Sequence, residues 1–366
     1  MKERFDKKRR IKGGNLLKAI ALLFGVFFTV TMLASLALAA EKPIELKIAF
    51  QYSPDNIMFH TPTWWANELD KRTNGRVKAT VHAAELLGKS RDFPHMVETG
   101  LCEMAVIAPP HNPGKNPVAS IRDAIFFFAP DILSGTDLLY ELYYRGLMNP
   151  EFEGANKKLM WVQSNPPNIL FSKKKITKLE DLKGMKIRSF PGYTMSFFQA
   201  LGATPVGMAA PEVYMAMDRG VVEAGITASE FAMSGKWNEI TKYCLYVPLC
   251  GGEHVVVMNL KVWESLPADI RLIMERLNAE ARYIHINEQF RRLDYGDEIG
   301  MLKKAGWEVS TLSPGELERW EKVVAPVKNK VIQELKDKNK NVQMDEVLKV
   351  VELVKKRYES YAAMFR

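Results

Sequence analysis

The chain has 366 residues, of which 47% are hydrophobic and 26% charged, and its formal net charge is +8. That length accommodates two ordinary domains with a sizeable core, and the composition excludes disordered, collagen-like and disulfide-scaffold classes. The positive balance invites a nucleic-acid or membrane-surface reading, but residues 1–40 alone carry a net +6, which leaves only +2 for the rest.

The basic run ends at Lys18, and Ala19 to Ala40 follows without a charged residue, closing on Ala37-Leu38-Ala39. A basic start, an apolar run and an A-x-A site are the parts of a secretory signal peptide, so residues 1–40 are expected to be an export signal. The apolar run is also long enough to serve as an uncleaved N-terminal anchor. Either way residues 41–366 are expected outside the cytoplasm, in the periplasm. No second apolar segment of spanning length follows, and the exported part is expected to be soluble. Its three cysteines, Cys102, Cys244 and Cys250, read as buried thiols, with a Cys244–Cys250 bridge left open by the sequence.

Ile44 to Phe50 alternates apolar and polar side chains as a strand does. Phe59 to Arg72 has helical spacing and stops at Asn74-Gly75. Val77 to His82 reads as a strand, Arg91 to Thr99 as a helix stopped by Gly100, and Met104 to Ala108 as a buried strand. This alternation predicts α/β architecture with a largely parallel sheet. Asn165-Pro166-Pro167-Asn168 breaks the rhythm and marks a crossing between domains. Beyond it come strands near Ile169–Ser172 and Met185–Ser189, a helix over Thr194–Leu201, another opened by Pro211, and strands over Val221–Thr227 and Glu253–Asn259. Apolar spacing from Pro267 to Ala305 predicts one long helix, about 57 Å at 1.5 Å per residue, that braces two domains. Pro314–Lys336 and Asp345–Ala363 read as charge-rich helices of an outer layer. The expected lobes are 41–164 plus about 252–285, and 165–251 plus about 286–366 with the C-terminal helices.

Catalytic signatures are missing. Gly88-Lys89-Ser90 resembles the end of a phosphate loop, but Ala83 stands where the first glycine belongs. None of the six histidines forms an i, i+4 pair or has a cysteine at metal-ligand spacing, so neither metal nor cofactor is expected. Lys173-Lys174-Lys175 reads as a solvated turn. Phe126-Phe127-Phe128 and Trp161 read as core. A two-domain exported α/β chain without catalytic residues suits a clamshell binder: ligands sit beyond the carboxyl ends of strands, and two lobes close over them by hinge motion.

Several ordered blocks sharpen that expectation. Thr73-Asn-Gly-Arg-Val77, Glu85-Leu-Leu-Gly88, Leu179-Glu-Asp-Leu-Lys-Gly-Met-Lys-Ile-Arg188, Ala200-Leu-Gly-Ala-Thr-Pro205, Glu212-Val-Tyr214, Gly220-Val-Val-Glu223, Glu239-Ile-Thr-Lys-Tyr243, Val256-Val-Met-Asn259 and Leu266-Pro267 span most of residues 45–325. Together they resemble the solute-binding subunits of TRAP (tripartite ATP-independent periplasmic) transporters, the DctP group. The resemblance implies a two-lobed periplasmic binding protein fold with the ligand cleft between lobes. It implies capture of a small organic acid without chemistry, and docking on a small and a large membrane subunit that use an ion gradient.

By the same resemblance the arginine of the Lys-Ile-Arg block, Arg188, grips the ligand carboxylate; a planar guanidinium offers two parallel donors to it. Thr227 and Glu230, at the end of a strand and the start of the next segment, are further candidates. Some members carry a second arginine where this chain has Asn168, and that departure favours a single carboxylate with a hydrogen-bonding or apolar remainder. Gln51, Tyr52 and His111, after predicted strands, could supply contacts to that remainder. Two other classes stay open: a secreted enzyme on a carboxylate substrate, with Glu230 or Glu253 as base, and a membrane-tethered ligand sensor. No nucleic-acid partner is expected, and the sequence does not fix the oligomeric state.

Overall fold

The computed structural model describes residues 42–127, 131–292, 297–340 and 342–364. The chain divides into two units, Met1–Ile44 and Glu45–Arg366, and the architecture below is that of the second. The expected export signal and Phe128 lie outside the described residues.

Eleven strands form two sheets among the described residues. The first, in the order β2-β1-β3-β10-β4, contains β1 (Ile44–Ala49), β2 (Val77–His82), β3 (Met104–Ile107), β4 (Lys157–Gln163) and β10 (His254–Asn259). The second, in the order β11-β9-β5-β8-β6-β7, contains β5 (Asn168–Ser172), β6 (Lys186–Ser189), β7 (Thr204–Gly207), β8 (Ala224–Thr227), β9 (Tyr243–Cys250) and β11 (Glu308–Ser310). Their sequences show why. In β1, Glu45 and Lys47 face solvent while Leu46 and Ile48 are buried, the period of a half-covered strand. All six residues of β10, His-Val-Val-Val-Met-Asn, are buried, as β-branched side chains in a central strand should be. Gly100 ends the Phe93–Thr99 helix at φ +78°, a left-handed cap that costs a side-chain-bearing residue energy.

The two-lobed α/β expectation agrees with this architecture, but neither sheet is uniformly parallel. β1 with β3, β6 with β8, β6 with β7, and β9 with β11 are parallel pairs. β10 runs antiparallel to both β3 and β4, and β5 antiparallel to both β8 and β9. The chain crosses between sheets three times, at 164–167, at 251–253 and again between β10 and β11. The first two crossings deliver β5 and β10, which enter the new sheet antiparallel to their neighbours, whereas the third delivers β11 parallel to β9. In register, Gln163 lies opposite His254 and Asn168 opposite Cys250, so the first two crossings run side by side.

The long helix is also shorter than the apolar spacing predicts. It covers Ala268–Arg292, about 37 Å, and packs on the His60–Arg72 helix and β4. A separate helix, Glu298–Lys304, begins where the Asp297 side chain accepts from Gly300 N at 2.9 Å. It packs by Leu302 beside Trp307 and Phe171 of the second sheet. Val221–Glu223 precede β8 as loop, and Pro211 sits in a single 3-10 turn before the Val213–Asp218 helix. The C-terminal helices divide their contacts: Pro314–Lys338 lies against the Tyr193–Ala200 helix, and Met344–Met364 against Ile132–Tyr144.

Phe126 and Trp161 are buried, Trp161 against Trp65 with centroids 5.4 Å apart. Lys174 and Lys175 pair with Glu223 and Glu308 on the surface, as a solvated turn would. All three cysteines are free and buried. Cys244 and Cys250 lie opposite Phe171 and Asn168 on the partner strand, about 10 Å apart along it. That exceeds the roughly 7 Å a disulfide can span, so the bridge the sequence left open does not form.

Candidate functional site

A narrow pocket of about 20 Å³ lies where the carboxyl ends of β3 and β8 face the crossings at 164–167 and 251–253. Its walls come from both sheets. Tyr52, Ala108 and His111 follow β1 and β3; Phe190, Thr227 and Phe231 follow or end β6 and β8; Asn165 lies in the crossing at 164–167, and Asn168 and His254 open β5 and β10. Close approach of the two sides is possible because residue 192 is glycine: a Cβ there would sit 2.8 Å from the carbonyl oxygen of Pro110.

Arg188 lies in β6 with no exposed surface. Gly225 opposite it in β8 leaves the room, since a Cβ there would press on Arg188 Cβ at 3.3 Å. The guanidinium donates from Nη1 to Ile226 O at 2.7 Å, and from Nε and Nη2 to Met208 O at 3.2 and 3.0 Å. Its Cζ stands 4.5 Å from the Phe190 ring centroid, within cation–π range. A guanidinium has five N–H donors, so these bonds leave one on each terminal nitrogen. No carboxylate among the described residues forms an ion pair with it. Burial pulls its pKa down to about 10, and it remains charged at neutral pH.

That charge reaches the pocket. It lowers the pKa of His111, whose burial is the larger cause, to about 4, and it opposes the rise that burial imposes on the Tyr52 hydroxyl. The Phe190 ring centroid lies 6.0 Å from the His111 ring and 4.5 Å from Arg188 Cζ. The structure brings Tyr52, His111, Asn168 and Thr227 to one pocket, with Arg188 buried beside Phe190 of its lining. Gln51 and Glu230 are placed differently. Gln51 is buried and contacts His254, and it lines a second groove of about 300 Å³ that shares Tyr52, Thr227 and Phe231 with the first. Glu230 is buried in the first turn of the Ser229–Ser234 helix, and its charge acts on Tyr52 without the residue forming a pocket wall.

Asn168 is 2% exposed and donates to Gly251 O across the crossings. Nothing in the sequence singled out His254, Asn165, Phe190 and Phe231. His254 Nε2 lies 2.8 Å from Gln51 Nε2 and 3.1 Å from the Tyr52 hydroxyl, and its Nδ1 lies 3.3 Å from Asn165 Nδ2. The available signal was positional: Asn165 and His254 are polar residues at the ends of two apolar strands that change sheets.

Glu253 also lines the pocket, but its carboxylate lies 3.2 Å from Arg122 Nε, and both residues are buried. Burial raises the Glu253 and Asp123 carboxyls, and the Arg122 charge opposes the rise in both. Among the described residues no group of three His, Cys, Asp or Glu could hold a metal ion. The arrangement offers one buried cation, neutral imidazole, amides and aromatic faces, which suit binding an anion with a compact body.

The family model described as bacterial extracellular solute-binding protein, family 7 (DctP) matches residues 48–335. A C4-dicarboxylate-binding periplasmic protein DctP of Rhodobacter capsulatus is 26% identical over 304 residues, covering 81% of this chain and 89% of that protein. Among solved structures, a TRAP periplasmic solute-binding protein from Desulfovibrio salexigens with bound orotic acid has a TM-score of 0.76 at 24% identity, covering 86% of this chain and 99% of the other. A marine metagenome TRAP solute-binding protein specific for pyroglutamate has a TM-score of 0.75 at 20% identity, covering 86% and 100%. The likeness to these structures is one of fold.

Proposed function

Because the chain belongs to bacterial extracellular solute-binding protein family 7, we propose that it captures a small organic acid anion between its lobes and delivers it to the membrane permease subunits of a TRAP transporter. Binding proceeds without chemistry. We take the lobes to be 41–164 plus about 252–285, and 165–251 plus about 286–366. The separate strand membership of the two sheets supports these limits, while the Met344–Met364 helix on Ile132–Tyr144 ties the second part to the first.

The observation that carries the reading is Arg188: a buried, charged guanidinium that binds only carbonyl oxygens and keeps one N–H on each terminal nitrogen. A carboxylate arriving beside Phe190 would accept both in parallel, the charge-assisted geometry that fixes position and orientation. Tyr52, His111, Asn168 and Thr227 would then surround the body of the ligand. Isothermal titration against small organic acids tests this. Arg188→Gln should weaken binding at least about 30-fold, the lower end for losing one partner of a buried charged contact. Unchanged affinity in a variant with wild-type circular dichroism would remove Arg188 from the site.

The export reading concerns residues 1–40, outside the described residues. Among the described residues no helix is long and apolar enough to cross a membrane. Intact mass of the protein recovered from the periplasm should lack about the first 40 residues if the signal is cleaved; the full mass would mean an anchor.

A further inference from the structure

Asn165 is 2% exposed, lines the pocket, and its Oδ1 is buried without a hydrogen-bond donor among the described residues. Among the described residues its only side-chain partner is His254, at 3.3 Å from Nδ2 to Nδ1. The other ring nitrogen of His254 faces Gln51 and Tyr52. A neutral imidazole has one donor and one acceptor. If Nε2 carries the proton, Nδ1 accepts from the Asn165 amide nitrogen and Oδ1 is left over. If Nδ1 carries it, the Asn165 amide must turn its oxygen to the ring or lose that contact, and the NH2 group is left over. In both tautomers Asn165 keeps one polar atom unmatched, and an unmatched buried polar atom destabilises any complex that does not satisfy it.

The walls near it constrain what can do so. They contain no lysine or arginine. Burial holds His254 neutral, with its pKa down to about 3, and His111 likewise at about 4. Glu253 is engaged by Arg122. A second carboxylate would find no cation, whereas a hydroxyl or amide could match Asn165 in either orientation.

We propose that Asn165 determines specificity by reading a second, uncharged polar group, so that the ligand is a monocarboxylate bearing a hydroxyl or a lactam amide and neither a plain hydrocarbon acid nor a dicarboxylate. This rests on the acid-binding reading above.

Two matched pairs test it by isothermal titration: 3-hydroxybenzoate against benzoate, and pyroglutamate against cyclopentanecarboxylate, with succinate beside them. In at least one pair the polar member should bind about tenfold or more tightly than its partner, because a site built to hydrogen-bond rejects the analogue lacking the group. In Asn165→Leu that ratio should fall to within about threefold of one. Equal affinities within both pairs, an unchanged ratio in Asn165→Leu, or succinate as the tightest ligand would each overturn the proposal while leaving acid binding intact. Failure of all five acids to bind would overturn the acid-binding reading, and this inference with it. If Asn165→Leu does not fold, the wild-type ratios decide.

Discussion

Two buried imidazoles, His254 and His285, and the half-buried His111 set how the molecule responds to acid. Burial lowers His111 and His285 to about 4 and His254 to about 3. In the unfolded chain each titrates near 6.5. Between those values the unfolded state binds protons that the native state refuses, so stability is unaffected above about pH 6.5 and falls as pH drops toward 4, by up to roughly 1.4 kcal/mol per pH unit for each residue. Thermal melts from pH 7 to 4.5 should show a falling Tm. His285→Gln, which can still meet Ser164 O, the 2.6 Å partner of the ring, should flatten the fall by one proton's share; an unaltered slope would mean that His285 charges in the native state. The thiols permit a simpler check: with Cys244 and Cys250 buried and unbridged, dithiothreitol should leave Tm unchanged. At this scale the sequence was legible where a residue's type decides its chemistry, as at Arg188. It was illegible at Asn165 and His254, whose importance comes from two chain crossings lying side by side.

Elements followed their local signals closely. The Pro314–Lys338 helix starts at Ser313, whose hydroxyl accepts from Glu316 N at 3.3 Å, and the strands begin and end near the apolar runs that specify them. The misread element was the long helix, because apolar spacing persists from Ile270 beyond the end of the helix, and only a cap at Asp297 marks the new start. Sheet direction was misread because alternation of strand and helix describes connections within a lobe, whereas β5 and β10 arrive from the other sheet. The final helix makes a testable contribution. Val347, Val350, Val351 and Val354 are each at most 4% exposed, and Arg357 and Tyr358 bond Glu141 and Asp137 at 3.0 and 2.9 Å. Four buried valines contribute about 6 kcal/mol at the low end of the transfer scale, comparable with the whole stability of an ordinary domain. Truncation after Asn339 should therefore yield a chain without a cooperative melt by circular dichroism; a normal melt would show that the helix is dispensable.

At the scale of the whole molecule, binding and shape are one question. Pro110 and Gly192 come from opposite sides of the pocket and meet closely enough that a Cβ on residue 192 would press on the Pro110 carbonyl. Gly192→Ala should therefore cost about 1–3 kcal/mol by overpacking, read as a lower Tm of the ligand-free protein; an unchanged Tm would show that the two sides do not meet this closely without a ligand. The net charge has a similar lesson. Residues 1–40 account for +6 of the net +8, so the remaining +2 offers no field for nucleic acid.

The sequence by itself determined the α/β class, nearly every element, the clustering of charge at the amino terminus and the ordered blocks that mark the family. These are properties of short segments, set by side-chain period, caps and turn residues acting over about ten residues. The tertiary structure alone decided the sheet directions, the separation of Cys244 from Cys250, the lowered pKa values of His111, His254 and His285 and the makeup of the pocket. Its walls are drawn from residues between 52 and 254, and burial and hydrogen-bond partners at such separations depend on how the crossings place one sheet against the other.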